Sequence, residues 1–350
     1  MTSTRRDVLK TGGLAALVGV TGGLAGCTDG GLLASGGDES GSWQYDPAAL
    51  VETQNRFFGT LDYAQLYDNR QYLPESSRED FETDADSPLD AADIGELTGV
   101  GAGQYSPETT AGVVVGSAAI TGEFGADEIT EAMGEDGESD AEQVGEYEGY
   151  ALYENAQPVT GPTAIDSGVS ATFGVGDGAV VMGVVSAEGT EADVTGRDAV
   201  EQMIDASNGE APLLADDSEY AGRLTDALDG QSMEVGGEVD PELVAELTSG
   251  AAPTTAQFVD GIRAVGFGAN VAGETTTFTF TGVYEDEETA DDTGIVGVVN
   301  AAAEQAVAES QGIDDVTASR DGALVSVEMS GETKTIFAEQ VPDGGTTLSL

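Results

Sequence analysis

The chain has 350 residues, enough for one large domain or two ordinary ones. Its 66 Asp and Glu stand against 11 Lys and Arg, with no histidine, one cysteine and a formal net charge of −55. So few cations cannot build a surface for nucleic acid phosphates. Lacking histidine, the chain has no Ser-His-Asp triad, no Cys-His pair and no imidazole metal ligand. A single thiol excludes an internal disulfide. The acids are spread between apolar runs rather than blocked at one end, so a folded core is expected instead of whole-chain disorder.

Residues 1–26 read as an export signal. "TRRDVLK" (residues 4–10) resembles the twin-arginine motif, carried by Arg5 and Arg6, with Val8 where phenylalanine is common. The glycine-rich apolar stretch that follows is too short for a membrane-spanning helix, which needs about 20 apolar residues. "LAGC" then resembles a lipobox, which implies cleavage between Gly26 and Cys27 and lipidation of Cys27. Two acyl or alkyl chains, at about 0.8 kcal/mol per buried CH₂, suffice for stable anchoring. Cleavage removes three basic residues and one acidic residue and leaves a net charge of −57. Residues 27–45 are expected to be the lipidated cysteine and a flexible tether.

The body divides by pattern into a first unit (46–230), a second unit (231–342) and a short tail (343–350). "RFFGTLDYAQLYDN" predicts a strand ending at Leu61–Asp62 and then a short helix. "SMEVGGEVDPELVAEL" has the same form, with Pro241 at the first helical position. A pair of strands follows each. In "ETTTFTFTGVYED", Phe278, Phe280 and Tyr284 alternate with Thr275, Thr277, Thr279 and Thr281 at a period of two. Helices are expected over 126–133, 198–207, 218–228 and 293–310. The last carries Ile295, Val298, Val299, Ala302, Ala306 and Val307 on one side, with Asp292 or Thr293 at its start and Gly312 at its end. Each unit closes with an Asp-Gly hairpin, at Asp177–Gly178 and Asp321–Gly322, a dipeptide suited to turns with positive φ at both central residues. The expected class is α+β: two duplicated units of antiparallel sheet with helices on one face.

Chemical motifs are sparse. "GVGAG" (99–103) and "GVGDG" (174–178) read as hairpin turns, because a dinucleotide fingerprint must open a helix. Asp84, Asp86 and Asp90 come with Pro88 and lack the glycine of a calcium loop. "EDEETADD" (285–292) reads as a solvated acidic loop. Tyr63, Tyr67 and Tyr72 read as helix-face packing, and Lys334 lacks the Ser-x-x-Lys spacing of a serine–lysine acylase. No catalytic residue, metal site or cofactor is assigned.

Low lysine with abundant Asp and Glu, joined to these N-terminal motifs, resembles the surface lipoproteins that haloarchaea export by the twin-arginine route. The resemblance is specific over residues 4–27 and transfers no binding or catalytic residue. It implies a protein held by Cys27 to membrane lipid on the outer face of the cytoplasmic membrane, with the twin-arginine translocase as its partner during export. The leading expectation is a non-enzymatic binding or scaffolding body with an extracellular ligand. The alternatives are a carboxylate-dependent glycan hydrolase and a solute-binding subunit of a transporter, for which βαβ alternation is not evident.

Overall fold

Alternating β-branched and small residues set the architecture, and short helices lie against the strands. The computed structural model describes residues 43–340 except 54, 76–77, 79–80, 82–90, 107–110, 136–140, 156–167, 189, 191, 242–243, 245–257 and 310–311. Arg5, Arg6, Gly26, Cys27 and the acidic run at 84–90 lie outside the described residues, as does most of the helix expected after Pro241. The first seven strands are β1 (Arg56–Asp62), β2 (Ile94–Ser106), β3 (Ala111–Gly122), β4 (Ala141–Tyr147), β5 (Tyr150–Asn155), β6 (Gly168–Gly176) and β7 (Ala179–Glu188). Five more follow: β8 (Met233–Glu238), β9 (Ile262–Ala272), β10 (Thr275–Tyr284), β11 (Ile313–Asp321) and β12 (Leu324–Glu332). All pair antiparallel in one twelve-stranded sheet, in the order β11-β12-β10-β9-β8-β1-β2-β3-β7-β6-β5-β4. The α+β class therefore holds, and strands from both expected units, 46–230 and 231–342, join in the one sheet. β1 and β8 form the seam, in a register running from Arg56↔Glu238 to Leu61↔Met233.

Helices cover both faces rather than the one expected. On the front lie α3 (Gly196–Ser207), α4 (Leu214–Asp217) and α5 (Glu219–Leu228). They bury Val200, Met203, Leu214, Leu224 and Leu228 against Phe58, Val100 and Val181. On the back, α1 (Tyr63–Asn69) packs Leu66 against Leu61 and Val271, and α2 (Ala126–Glu135) packs Ile129 against Val175. The physical reason is strand alternation: Phe58 and Leu61 are both buried and point to opposite faces, so each face needs cover. The front helices sit close because the sheet beneath them lacks side chains. A Cβ at Gly266 would lie 2.6 Å from Leu224, and one at Gly183 would lie 2.2 Å from the Gly196 carbonyl oxygen.

The helix starts follow their caps. Thr195 and Asp198 form a capping box for α3, and Ser218 accepts a hydrogen bond from Ala221 N–H at the start of α5. The helix expected over 293–310 is split. α6 (Glu287–Asp292) is capped by Asp286, Gly294 takes φ +63°, and α7 (Ile295–Glu309) begins anew beside the Thr293 hydroxyl. Its apolar side is also displaced. Ile295 and Val296 pack against Tyr284 and Val325, while Val298 is 55% exposed. The Asn300 amide hydrogen-bonds both backbone groups of Ala318 and so covers part of the β11 edge.

Other expectations shift in register. "GVGAG" lies inside β2 and makes no turn. The two Asp-Gly hairpins are not equivalent: the loop residues are Asp177–Gly178 in one and Gly322–Ala323 in the other, with Asp321 paired to Leu324. Only the glycine has positive φ in each, so neither turn is of the doubly positive type. On β10 both faces are covered: Thr279 and Thr281 are buried on one and Phe278 on the other, while Phe280, on the same face as Phe278, is 42% exposed. Thr281 reaches Ser326 at 3.1 Å.

Gln44 and Tyr45, expected in the tether, belong to the core. Tyr45 is fully buried, and its hydroxyl donates to Ser117 Oγ at 2.9 Å while Ser117 donates to the Ala199 carbonyl at 3.1 Å. Backbone bonds from Leu214 N–H to Gln44 O and from Asp46 N–H to Pro212 O fasten the segment beside α4. Loss of the hydroxyl alone in Tyr45→Phe is expected to cost about 1 kcal/mol, and Tyr45→Ala about 3–5 kcal/mol, in urea denaturation at molar salt.

Candidate functional site

The seam register puts Arg56, the first residue of β1, opposite Glu238, the last of β8. Adjacent strands thus end in opposite charges, and Arg56 Nη1 lies 3.3 Å from Glu238 Oε2. The other Glu238 oxygen accepts a hydrogen bond from the Ser218 hydroxyl, the cap of α5. Arg56 Nε faces Asp46 Oδ1 at 3.5 Å, an ion pair with no hydrogen bond from that nitrogen. Asp46 also accepts from Ala48 N–H at 2.9 Å. Burial raises the Asp46 pKa, and the facing Asp217 carboxylate raises it further, against the pull of Ala48 and Arg56. A chain of charge therefore links the N-terminal segment, the seam and the α4–α5 junction.

Arg56, Ser218 and Glu238 form one wall of an open cleft of about 450 Å³ at the strand ends. Asp217, Tyr220 and Arg263 complete its polar lining, with Val239 and Pro241 as apolar floor. Arg263 is itself held by Glu285. Two of the few cations of the body thus converge here, each matched by a carboxylate. Each Glu238 oxygen thus has one partner, Arg56 on one and Ser218 on the other. Among the described residues, no group of three or more Asp, Glu, His or Cys side chains has the geometry to hold a metal ion, and no helix is long and apolar enough to cross a membrane.

Further along the seam the same face buries an acid. Glu234, 5% exposed, pairs across the strands with Thr60, whose hydroxyl donates to it at 3.3 Å and accepts from Gln44 Nε2 at 3.3 Å. Burial pushes its pKa up to about 8. The charges of Asp229 and Glu96 add to the rise, and the bonds from Thr60 and the Gln231 backbone oppose it. Glu96 is raised as well, chiefly by burial.

None of the lining residues stood out in the sequence. Cys27 and the export residues lie outside the described residues. Tyr63 and Tyr67 flank Phe81, with ring centroids 5.2 and 6.5 Å away, and the Arg70 guanidinium lies over Tyr67, so this cluster packs rather than opens to a ligand. Tyr72 and Lys334 line a separate hollow of about 60 Å³. The "EDEETADD" run is the capped helix α6 rather than a loop, and Arg320 bridges Glu287 and Asp291 there. The one signal that could have found the cleft is scarcity: in so acidic a chain, each arginine is informative.

The chain matches no known protein family and no curated protein. Among solved structures it is similar to TP0453. Crystal form III aligns with a TM-score of 0.42 at 8% identity, over 87% of this chain and 97% of that one. Crystal form IV gives 0.41 at 9%, over 86% and 100%, and form I gives 0.37 at 9%, over 87% and 96%. Similarity at this level transfers no residue and no role.

A glutamate protonated in the fold up to about pH 8 holds a proton that the unfolded chain releases near its ordinary value of 4.5. Stability should therefore fall as pH rises between these values and level off above about 8. Glu234→Gln is expected to flatten that limb, gaining on the order of a few kcal/mol at pH 9, as read from denaturation midpoints across pH at constant salt.

Proposed function

We propose that this is an extracellular lipoprotein, exported by the twin-arginine route and anchored through Cys27, whose body binds a small ligand without chemistry. The observation that carries the binding role is the cleft at the seam, in which every guanidinium is held by a carboxylate and each Glu238 oxygen already has a partner. A carboxylate hydrolase needs two carboxyl groups placed about the scissile bond, and of the two that line the cleft, Asp217 and Glu238, the second is already bound to Arg56 and Ser218. The buried Tyr45 supports the anchored reading, because a pull on the tether meets the core directly.

The body arose by duplication in this proposal. β1-β2-β3-β7-β6 and β8-β9-β10-β12-β11 run outward from the seam in the same order, and β4–β5 is an addition at the first unit's edge. Asp62 caps the helix after β1, and the Asp240 carbonyl accepts from Val244 N–H after β8. The host is a halophile, since a body of net charge −57 repels itself unless salt shortens the Debye length, to about 3 Å at 1 M.

Cys27→Ser should move the protein from the membrane fraction to the medium or leave it as unprocessed precursor, and unchanged fractionation would refute the anchor. Far-UV circular dichroism melts should show stability rising steeply from low to molar salt, whereas a flat response would contradict the halophilic reading.

A further inference from the structure

Building on the binding role proposed above, we infer that the cleft at the β1–β8 seam takes a neutral saccharide, as a mono- or disaccharide unit. The pattern of charge decides the class. Arg56 is matched by Asp46 and Glu238, and Arg263 by Glu285, so an anion meets no guanidinium whose charge is still open. An organic cation would compete with the inorganic cations gathered by a body of net charge −57. An uncharged polyol escapes both objections.

Every sugar hydroxyl both donates and accepts, and the wall offers the two kinds of partner side by side. Asp217 accepts, while Arg56 and Arg263 each carry five N–H groups on a rigid fork, more than their ion pairs consume. Tyr220 supplies an aromatic ring, and Val239 and Pro241 an apolar floor, against which the C–H face of a pyranose loses water. The volume of about 450 Å³ lies within the usual range for small-molecule sites, about 300–1,000 Å³. Hydrogen bonds to a neutral ligand are also little weakened by salt, unlike a charge-driven contact.

The test is isothermal titration of the full mature chain in molar salt with maltose, cellobiose and N,N′-diacetylchitobiose, and with a soluble polymer of each of these sugar units. Glycine betaine and inorganic phosphate serve as the zwitterionic and anionic probes. The same titrations are run on Tyr220→Ala and Arg263→Gln, each checked for an unchanged far-UV spectrum. The expected result is binding of at least one disaccharide, weakened about tenfold or more by Tyr220→Ala and insensitive to a further rise in salt. Equal binding of the free disaccharide and of its polymer indicates a solute, and tighter binding of the polymer indicates a surface glycan; both support the inference. Binding of betaine or phosphate alone, lost in Arg263→Gln, overturns the saccharide assignment and leaves the binding role standing. No heat with any probe overturns both.

Discussion

The structure depends on the pairing of β1 with β8. These short strands come from distant parts of the chain, and among the described residues their antiparallel register is the only backbone ladder that joins the two halves of the sheet. That register sets Arg56 opposite Glu238 and Thr60 opposite Glu234, so the ion pair at the cleft and the buried acid are fixed together. A slip of one residue would turn every side chain of β1 to the other face. Phe58 would leave the front core, and Arg56 would leave its partner.

Acidity has different consequences outside and inside this sheet. On the surface it is a solvation matter, governed by salt. Inside, the seam holds carboxylates in two ways. Glu238 and Asp46 share the single positive charge of Arg56, whereas Glu234 rests on hydroxyl and backbone donors and keeps its proton at neutral pH. An unpaired buried carboxylate is costly when charged, so the part of the seam around Glu234 loses stability as pH rises toward about 8. The Gln44 side chain reaches this part through Thr60, which ties the N-terminal segment to the same network.

Local features were legible in the sequence. β1 with its Asp62-capped helix, the β2–β3 and β9–β10 pairs, and the α3 and α5 helices all carry strand alternation or capping residues near the observed bounds. Errors arose where tertiary context overrides a local signal. "GVGAG" has turn composition, yet its small residues serve an unbroken strand. Phe280 has a strong β propensity and still lies exposed, although Phe278 on the same face of the strand is buried against Ala269 and Ile336. The candidate site was not legible at all. Arg56, Ser218 and Glu238 follow no shared spacing, and only the seam brings them within reach of one another.

Native-state hydrogen exchange at molar salt tests the central claim most directly. If the seam unites the sheet, the amides of β1 and β8 should exchange only through global unfolding, with the same free energy as those of β3 and β10 in the two halves. Separate opening of the halves, with β1 and β8 exchanging well before either, would contradict it.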